Sequence, residues 1–294
     1  MINYQKLETL ARVFEEQSFE KAAERLHITQ SAVSQRIQQL ERSLGHVLLI
    51  RTTPLQLTEQ GQLVIKTYRQ ISMLESDLQQ ALGGKEQQSA TQSIAIGSNA
   101  DSLATWLLDA LDPILRNENI VVDIKVDDQD RTHELLRKGD VIGCISASNE
   151  AILGCNCFPL GIMTYRCLVS PEFKQRYFKN GVSADTIRKA PCVEFNHKDD
   201  LERRYLSTFF DLPLNMPCHR IPSTESFLSF VARGHAWGLI PDIQSKPERE
   251  RGELVELLPG CHFDIPLYWH IWNLKTRLNR LLTDALLREA KHGL

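Results

Sequence analysis

The chain has 294 residues, 42% of them hydrophobic and 24% charged, with a net charge of −3. That length predicts two or three domains with sizeable cores, and the charge excludes a protein that coats DNA through bulk basicity. No apolar run approaches the roughly 20 residues of a membrane span, and the first residues do not resemble a signal peptide, so a cytoplasmic protein with no membrane partner is expected.

The first fifty residues carry three helical patterns. Leu7, Leu10, Ala11 and Phe14 lie on one face of the first. Phe19, Ala22, Ala23 and Leu26 recur at i, i+3, i+4 and i+7, and Val33, Ile37, Leu40 and Leu44 repeat the pattern. Ser18 and Thr29 stand at N-cap positions and Gly45 at a helix stop. Small Ala22 and Ala23 allow a close crossing. This is a helix-turn-helix, whose second helix enters a DNA major groove. Its apolar face leaves Gln30, Ser31, Ser34, Gln35 and Gln38 outward, with Arg36 at the edge of that face. Gln and Arg bond two atoms of one base edge, and Ser reaches a base or a phosphate. No acidic residue occurs between positions 28 and 40.

Residues 46–57 read as a two-stranded wing, with Arg51 against a phosphate and Thr52 beside it. A long helix runs from 58 to the Gly83-Gly84 breaker. Val64, Tyr68, Ile71, Leu74, Leu78 and Leu82 form a narrow stripe along it, the pattern of a helix that pairs with its own copy. Residues 83–92 are a polar linker. Beyond it, strands are expected at 94–97, 120–126, 141–146, 164–170, 192–195, 218–222, 236–240 and 266–272. Helices are expected at 103–114, 131–138 and 276–292. Their alternation predicts an α/β unit with mostly parallel sheets.

Seven cysteines, Cys144, Cys155, Cys157, Cys167, Cys192, Cys218 and Cys261, form no Cys-x-x-Cys pair, so no zinc site or other metal is expected. They read as free thiols, with Cys155-Asn-Cys157 as the one arrangement suggestive of redox sensing. No phosphate loop, metal cluster or nucleophile elbow marks an enzyme. His197, Asp199 and Asp200 suggest acid–base chemistry but fit a polar loop equally. A solute-binding protein is the other rival, opposed by the DNA reader at the N-terminus.

The order of helix-turn-helix, wing, long helix and α/β unit resembles the LysR-type transcriptional regulators. The matching residues are Phe19, Ala22, Ala23, Leu26, Ile28 to Ser34, Ile37, Leu40, Glu41, Leu44, Gly45, Leu48, Leu49, Arg51, Leu57, Thr58 and Gly61. Ser31 stands where many members carry proline, and Leu49 where phenylalanine is common. Residues 99–108, Arg131-Thr132, Arg137-Lys138-Gly139, Tyr177-Phe178, Asn180-Gly181-Val182, Phe209 to Pro213, Pro217-Cys218-His219 and Leu267 to His270 resemble the arginine- and lysine-responsive branch.

The resemblance implies an α+β multidomain chain. A winged helix-turn-helix occupies 1–60, a dimerisation helix 58–84, and a periplasmic-binding-protein-like effector domain 92–294. Subdomain I would take about 92–161 and 266–294, and subdomain II about 162–265. Also implied are a homodimer or homotetramer, a DNA operator, RNA polymerase as a further partner, and control of amino-acid export or metabolism genes as an activator. No cofactor is implied; the small molecule is an effector, L-lysine or L-arginine. The alternative is a regulator of the same type with a different effector.

In such a domain ligands sit where strand ends meet helix starts. Asn99, Asp101 and Ser102 form one such junction and Ser223, Thr224 and Glu225 a second. Backbone N–H groups there suit an α-carboxylate. Asp127, Asp128 and Asp130, with Thr132 beside them, offer charge for a cationic side chain. Ser146, at the end of a buried strand, completes the candidate set.

Overall fold

The structure, a computed structural model, describes residues 3–82, 91–127, 132–197, 199–211 and 216–294. Helices α1 (Tyr4–Glu16), α2 (Phe19–Arg25) and α3 (Gln30–Leu44) form where the apolar spacing requires. Ser18 Oγ accepts from the Lys21 N–H at 3.3 Å and Thr29 Oγ1 from the Ala32 N–H at 3.2 Å, so both expected N-caps are made. Gly45 closes α3 at φ 72°, its N–H reaching the Glu41 carbonyl at 2.8 Å. Leu10, Val13, Ala22, Val33, Ile37 and Leu40 are fully buried together. Methyl side chains at Ala22 and Ala23 let α2 lie close to α1 and α3.

The wing is a two-residue pair, β1 (Leu49–Ile50) against β2 (Gln56–Leu57), antiparallel. Helix α4 (Glu59–Ala81) comes next, capped by Thr58, whose Oγ1 accepts from the Gly61 N–H at 3.0 Å. A Cβ at Gly61 would collide with the Leu48 carbonyl oxygen, so glycine sets how closely α4 meets the wing. The stripe expected on α4 divides into two parts. Tyr68 is buried in the helix-turn-helix core against the Tyr4 ring, and Val64 packs on that core. Ile71, Leu74, Leu78 and Leu82 face outward and are exposed. The expected breaker Gly83-Gly84 and most of the linker lie outside the described residues.

The second part of the chain alternates β3 (Gln92–Ser98), α5 (Ala100–Thr105), α6 (Leu107–Asn117), β4 (Ile120–Val126), α7 (Thr132–Lys138) and β5 (Gly143–Ser146). Two long strands then bracket a second α/β stretch. Between β6 (Cys155–Val169) and β11 (His262–Trp272) lie α8 (Pro171–Phe178), α9 (Ala184–Lys189), β7 (Cys192–Glu194), α10 (Leu201–Phe210), β8 (Cys218–Arg220), α11 (Thr224–Ala232), β9 (Gly238–Pro241), α12 (Asp242–Glu250) and β10 (Val255–Glu256). Helix α13 (Arg277–Gly293) closes the chain on α6.

The main sheet has the order β10-β6-β11-β5-β3-β4, with β9 also on β6. Here the expectation of mostly parallel sheets is corrected. β3 pairs parallel with β4 and β5, and β7 with β8, but β6 and β11 pair antiparallel with each other and with every other neighbour. The physical reason is the pair of long strands: one carries the chain out of the β3–β5 region and the other brings it back, so they run in opposite directions. Met163 faces Ile265 and Ile162 faces Pro266 in that ladder. The single helix expected at 103–114 is two, broken at Trp106, whose φ of −124° is not helical. The fully buried indole of Trp106 anchors the break.

Candidate functional sites

The first site is the outer face of α3 with the wing. Gln30, Ser31, Gln35 and Gln38 are exposed and Ser34 is half-buried. Ser31 Oγ lies 3.0 Å from Thr29 Oγ1, which ties it to the cap. Arg36 is half-buried, and its guanidinium donates to Thr9 Oγ1 of α1 at 3.4 Å rather than extending outward. In the wing, exposed Arg51 stacks over the Phe19 ring at 5.1 Å, a cation–π contact that holds it beside α2. Thr52 Oγ1 donates to the Pro54 carbonyl at 2.7 Å. The Leu55 N–H donates to Gln17 Oε1 at 2.8 Å, fixing the wing to the end of α1. Arg51 and α3 thus sit on one small, internally braced body.

The second site is a cavity of about 280 Å³. Its walls come from the ends of β3 and β4, from β6 and β9, and from the starts of α10, α11 and α12. Of the residues expected there, Asn99, Asp101, Asp127 and Thr224 line it. The others are placed off the lining. Ser102 is fully buried, with an Oγ lacking a hydrogen-bond partner. Thr132 Oγ1 donates to the Ile145 carbonyl at 2.6 Å, and Ser146 Oγ accepts from the Ser148 N–H at 3.2 Å. Ser223 caps α11 through the Ser226 N–H at 3.3 Å, and Glu225 lies in the first turn. Asp128 and Asp130 lie outside the described residues.

The cavity also draws on Asp199 and Asp200, which the sequence left in a polar loop, and on Glu202, which it did not single out. Asp199, Asp200 and Glu202 line it, while His197 is exposed and does not. Asp199 Oδ1 accepts from the Leu201 N–H at 3.1 Å, and the Asp199 N–H donates to Asn196 Oδ1 at 3.2 Å, so the loop is folded on itself. Together with Asp101 and Asp127 these make five carboxyl side chains in the described lining, with no Lys, Arg or His. Phe195, Phe227, Leu239, Ile240 and Pro241 supply apolar wall.

Crowding of acids perturbs their protonation. Burial, reinforced by Asp199, pushes the Asp101 carboxyl up to about 6, against a hydrogen bond from Tyr165 that favours its charge. The Tyr165 hydroxyl donates to Asp101 Oδ2 at 2.6 Å. Glu202 is 2% exposed; burial, again with Asp199, raises its carboxyl well above the usual range. The Leu239 N–H donates to Glu202 Oε1 at 3.4 Å, and Oε2 has no partner. A cavity that gathers five carboxyl side chains in its described lining favours a positively charged ligand.

A winged helix-turn-helix joined by a long helix to an α/β unit with an acidic cavity defines a ligand-responsive DNA-binding protein. Residues 4–62 match the bacterial regulatory helix-turn-helix protein, lysR family, and 87–293 match the LysR substrate binding domain. The chain belongs to the LysR family and is a DNA-binding transcriptional regulator. It is 43% identical over 286 residues to the HTH-type transcriptional regulator ArgP of Salmonella typhi, covering 97% of this chain and 95% of that one. The crystal structure of ArgP from Mycobacterium tuberculosis matches with a TM-score of 0.89 at 33% identity, over 99% of this chain and 98% of that one. Full-length LysG from Corynebacterium glutamicum with bound effector Arg matches with a TM-score of 0.81 at 32% identity, over 100% and 99%. Among the described residues no helix is long and apolar enough to cross a membrane.

Proposed function

We propose that this regulator senses L-lysine or L-arginine in the acidic cavity and controls amino-acid export or metabolism genes. The observation that carries the reading is the lining: among the described residues, five carboxyl side chains and no basic one. An anionic effector would be repelled there and a cationic one attracted. Lysine and arginine bring a net positive charge and an α-carboxylate, for which the N-terminal turn of α11 at Thr224 offers backbone donors. The bound arginine of LysG agrees with this chemistry. Asn99, Asp101, Asp127 and Thr224, joined by Asp199, Asp200 and Glu202, are the proposed contacts.

The effector domain spans 92–294 in this reading, with lobes of about 92–161 plus 266–294 and about 162–265. The ladder between β6 and β11 is the hinge. A ligand bridging the lobes shifts their equilibrium by its difference in affinity for the two states. The exposed leucines of α4 support a dimer through 58–84, as two half-sites require, with a tetramer formed by the effector domains. Gln30, Ser31, Ser34 and Gln35 read the groove, joined by Arg36 once its guanidinium leaves Thr9, and Arg51 and Thr52 hold the backbone. The protein acts in the cytoplasm, with RNA polymerase as its further partner. The test is a footprint on an operator selected from genomic fragments by the protein itself. Lysine or arginine should change the protected length or the affinity, and glutamate and leucine should not. If all four leave the footprint unchanged, the effector reading is wrong.

A further inference from the structure

Glu202 differs from the other acids of the cavity. Asp101 already accepts a hydrogen bond from Tyr165, and Asp199 from the backbone of Leu201. Asp200 is exposed. Glu202 is almost completely buried, lines the cavity, and keeps one carboxyl oxygen without a hydrogen-bond partner. Among the described residues, the groups that act on it are themselves acidic or neutral. Asp199 and Glu194 act on it directly, and Tyr165, Cys167 and Cys192 feel its charge in turn. Glu194 has a cation of its own, the Arg220 guanidinium at 3.3 Å. Glu202 makes no ion pair among the described residues, and its donors are backbone N–H groups, that of Leu239 and its own.

A buried carboxyl in such surroundings holds its proton while the cavity is empty, because the charged form has lost water and its backbone donors replace that only in part. A guanidinium or ammonium brought against it reverses that balance. The carboxyl O–H then breaks, the proton leaves to solvent, and the carboxylate takes a charge-assisted hydrogen bond from the ligand. We propose that Glu202 is the specificity residue that reads the side-chain cation of the effector, exchanging its own proton for the ligand's charge. The proposal rests on the effector being a cationic amino acid. Its consequence is selectivity against neutral isosteres. Citrulline has the length and α-amino-acid head of arginine but cannot discharge Glu202.

The experiment is calorimetric titration of the full-length protein with L-arginine and L-citrulline, for wild type and Glu202→Gln. Each arginine titration is run at one pH in two buffers of different ionisation enthalpy. Wild type is expected to prefer arginine and to release protons on binding it, so that its affinity rises with pH. In Glu202→Gln, arginine affinity should fall about 10- to 100-fold, the value of a charge-assisted bond. Citrulline affinity should stay near its wild-type value, and proton release should drop. Equal losses for arginine and citrulline would mean that Glu202 serves the amino-acid head or the fold, which overturns the proposal. Unchanged selectivity and proton release in the variant overturn it too, while leaving the effector reading intact. Failure of wild type to bind arginine or lysine brings down both. Because proton release is also read on wild type alone, a poorly folding variant does not remove the test: arginine binding with no proton released would contradict the exchange.

Discussion

The exposed stripe on α4 allows a quantitative test of the dimer proposed through residues 58–84. Leu74 is 46% and Leu78 58% exposed, so about half of each side chain remains to be covered. Burying a whole leucine side chain is worth roughly 1.5–3 kcal/mol, so half of one contributes about 1 kcal/mol. Two-fold symmetry counts every position twice. The Leu74→Ala, Leu78→Ala double variant should therefore lose about 4 kcal/mol of association energy, roughly a thousandfold in the dimer dissociation constant. Neither side chain is buried in the monomer, so the thermal stability of the helix-turn-helix core should change little. Sedimentation velocity over a concentration series measures the dissociation constant directly. A double variant whose constant stays within threefold of wild type would refute an α4 dimer interface and would require the leucines to be covered by something else.

Other parts of the molecule set further expected outcomes. Arg51→Ala should weaken binding to all DNA sequences alike, whereas Gln35→Ala should cost about 1–3 kcal/mol on the operator and relax one base position; anisotropy titrations on operator and scrambled duplexes separate the two. Gly61→Ala should destabilise the DNA-binding region by on the order of 1–3 kcal/mol, since the new methyl meets the Leu48 carbonyl, and an unchanged melting temperature would contradict that packing. Folded Asp101 keeps its proton up to about pH 6 while the unfolded chain loses it near 3.8. The native state therefore binds more protons in that window, and its stability falls as pH rises from about 4 to 6. Asp101→Asn removes this loss, so its stability relative to wild type should be greater at pH 7 than at pH 4 by on the order of 1–3 kcal/mol. Melting curves at the two pH values check it, and a constant difference argues against the raised carboxyl.

What the sequence disclosed depended on how local the cause was. Caps at Ser18 and Thr29 and the apolar spacing of α2 and α3 act within a few residues, so they are readable without a structure. The orientation of Arg36 toward Thr9 depends on how α1 crosses α3, and the sequence placed Arg36 only at the edge of the reading face. Strand direction is still less local. Val169 and Val255 are neighbours across the sheet although far apart in the chain, and alternation of elements says nothing about which way they run. The acidic cavity shows the same limit. Asn99 and Asp101 were legible as a strand-to-helix junction, but Asp199, Asp200 and Glu202 became part of the site only once β6 brought the second half of the fold against the first. Glu202 lies one residue into α10, and a signal was present: two acids before an amphipathic helix, then a third facing inward beside Leu201. Such a pattern also describes an ordinary helix start, so the polar-loop reading was equally open.

In the proposed function, a cationic amino acid held in the cavity lined by Asp101, Asp127 and Glu202 switches this LysR-family regulator. Isothermal titration of the purified protein with L-lysine, L-arginine, L-glutamate and L-leucine tests it most directly. Saturable heat is expected for lysine or arginine and none for the other two. Absence of heat from both basic amino acids at millimolar concentration, with operator binding intact, would contradict it.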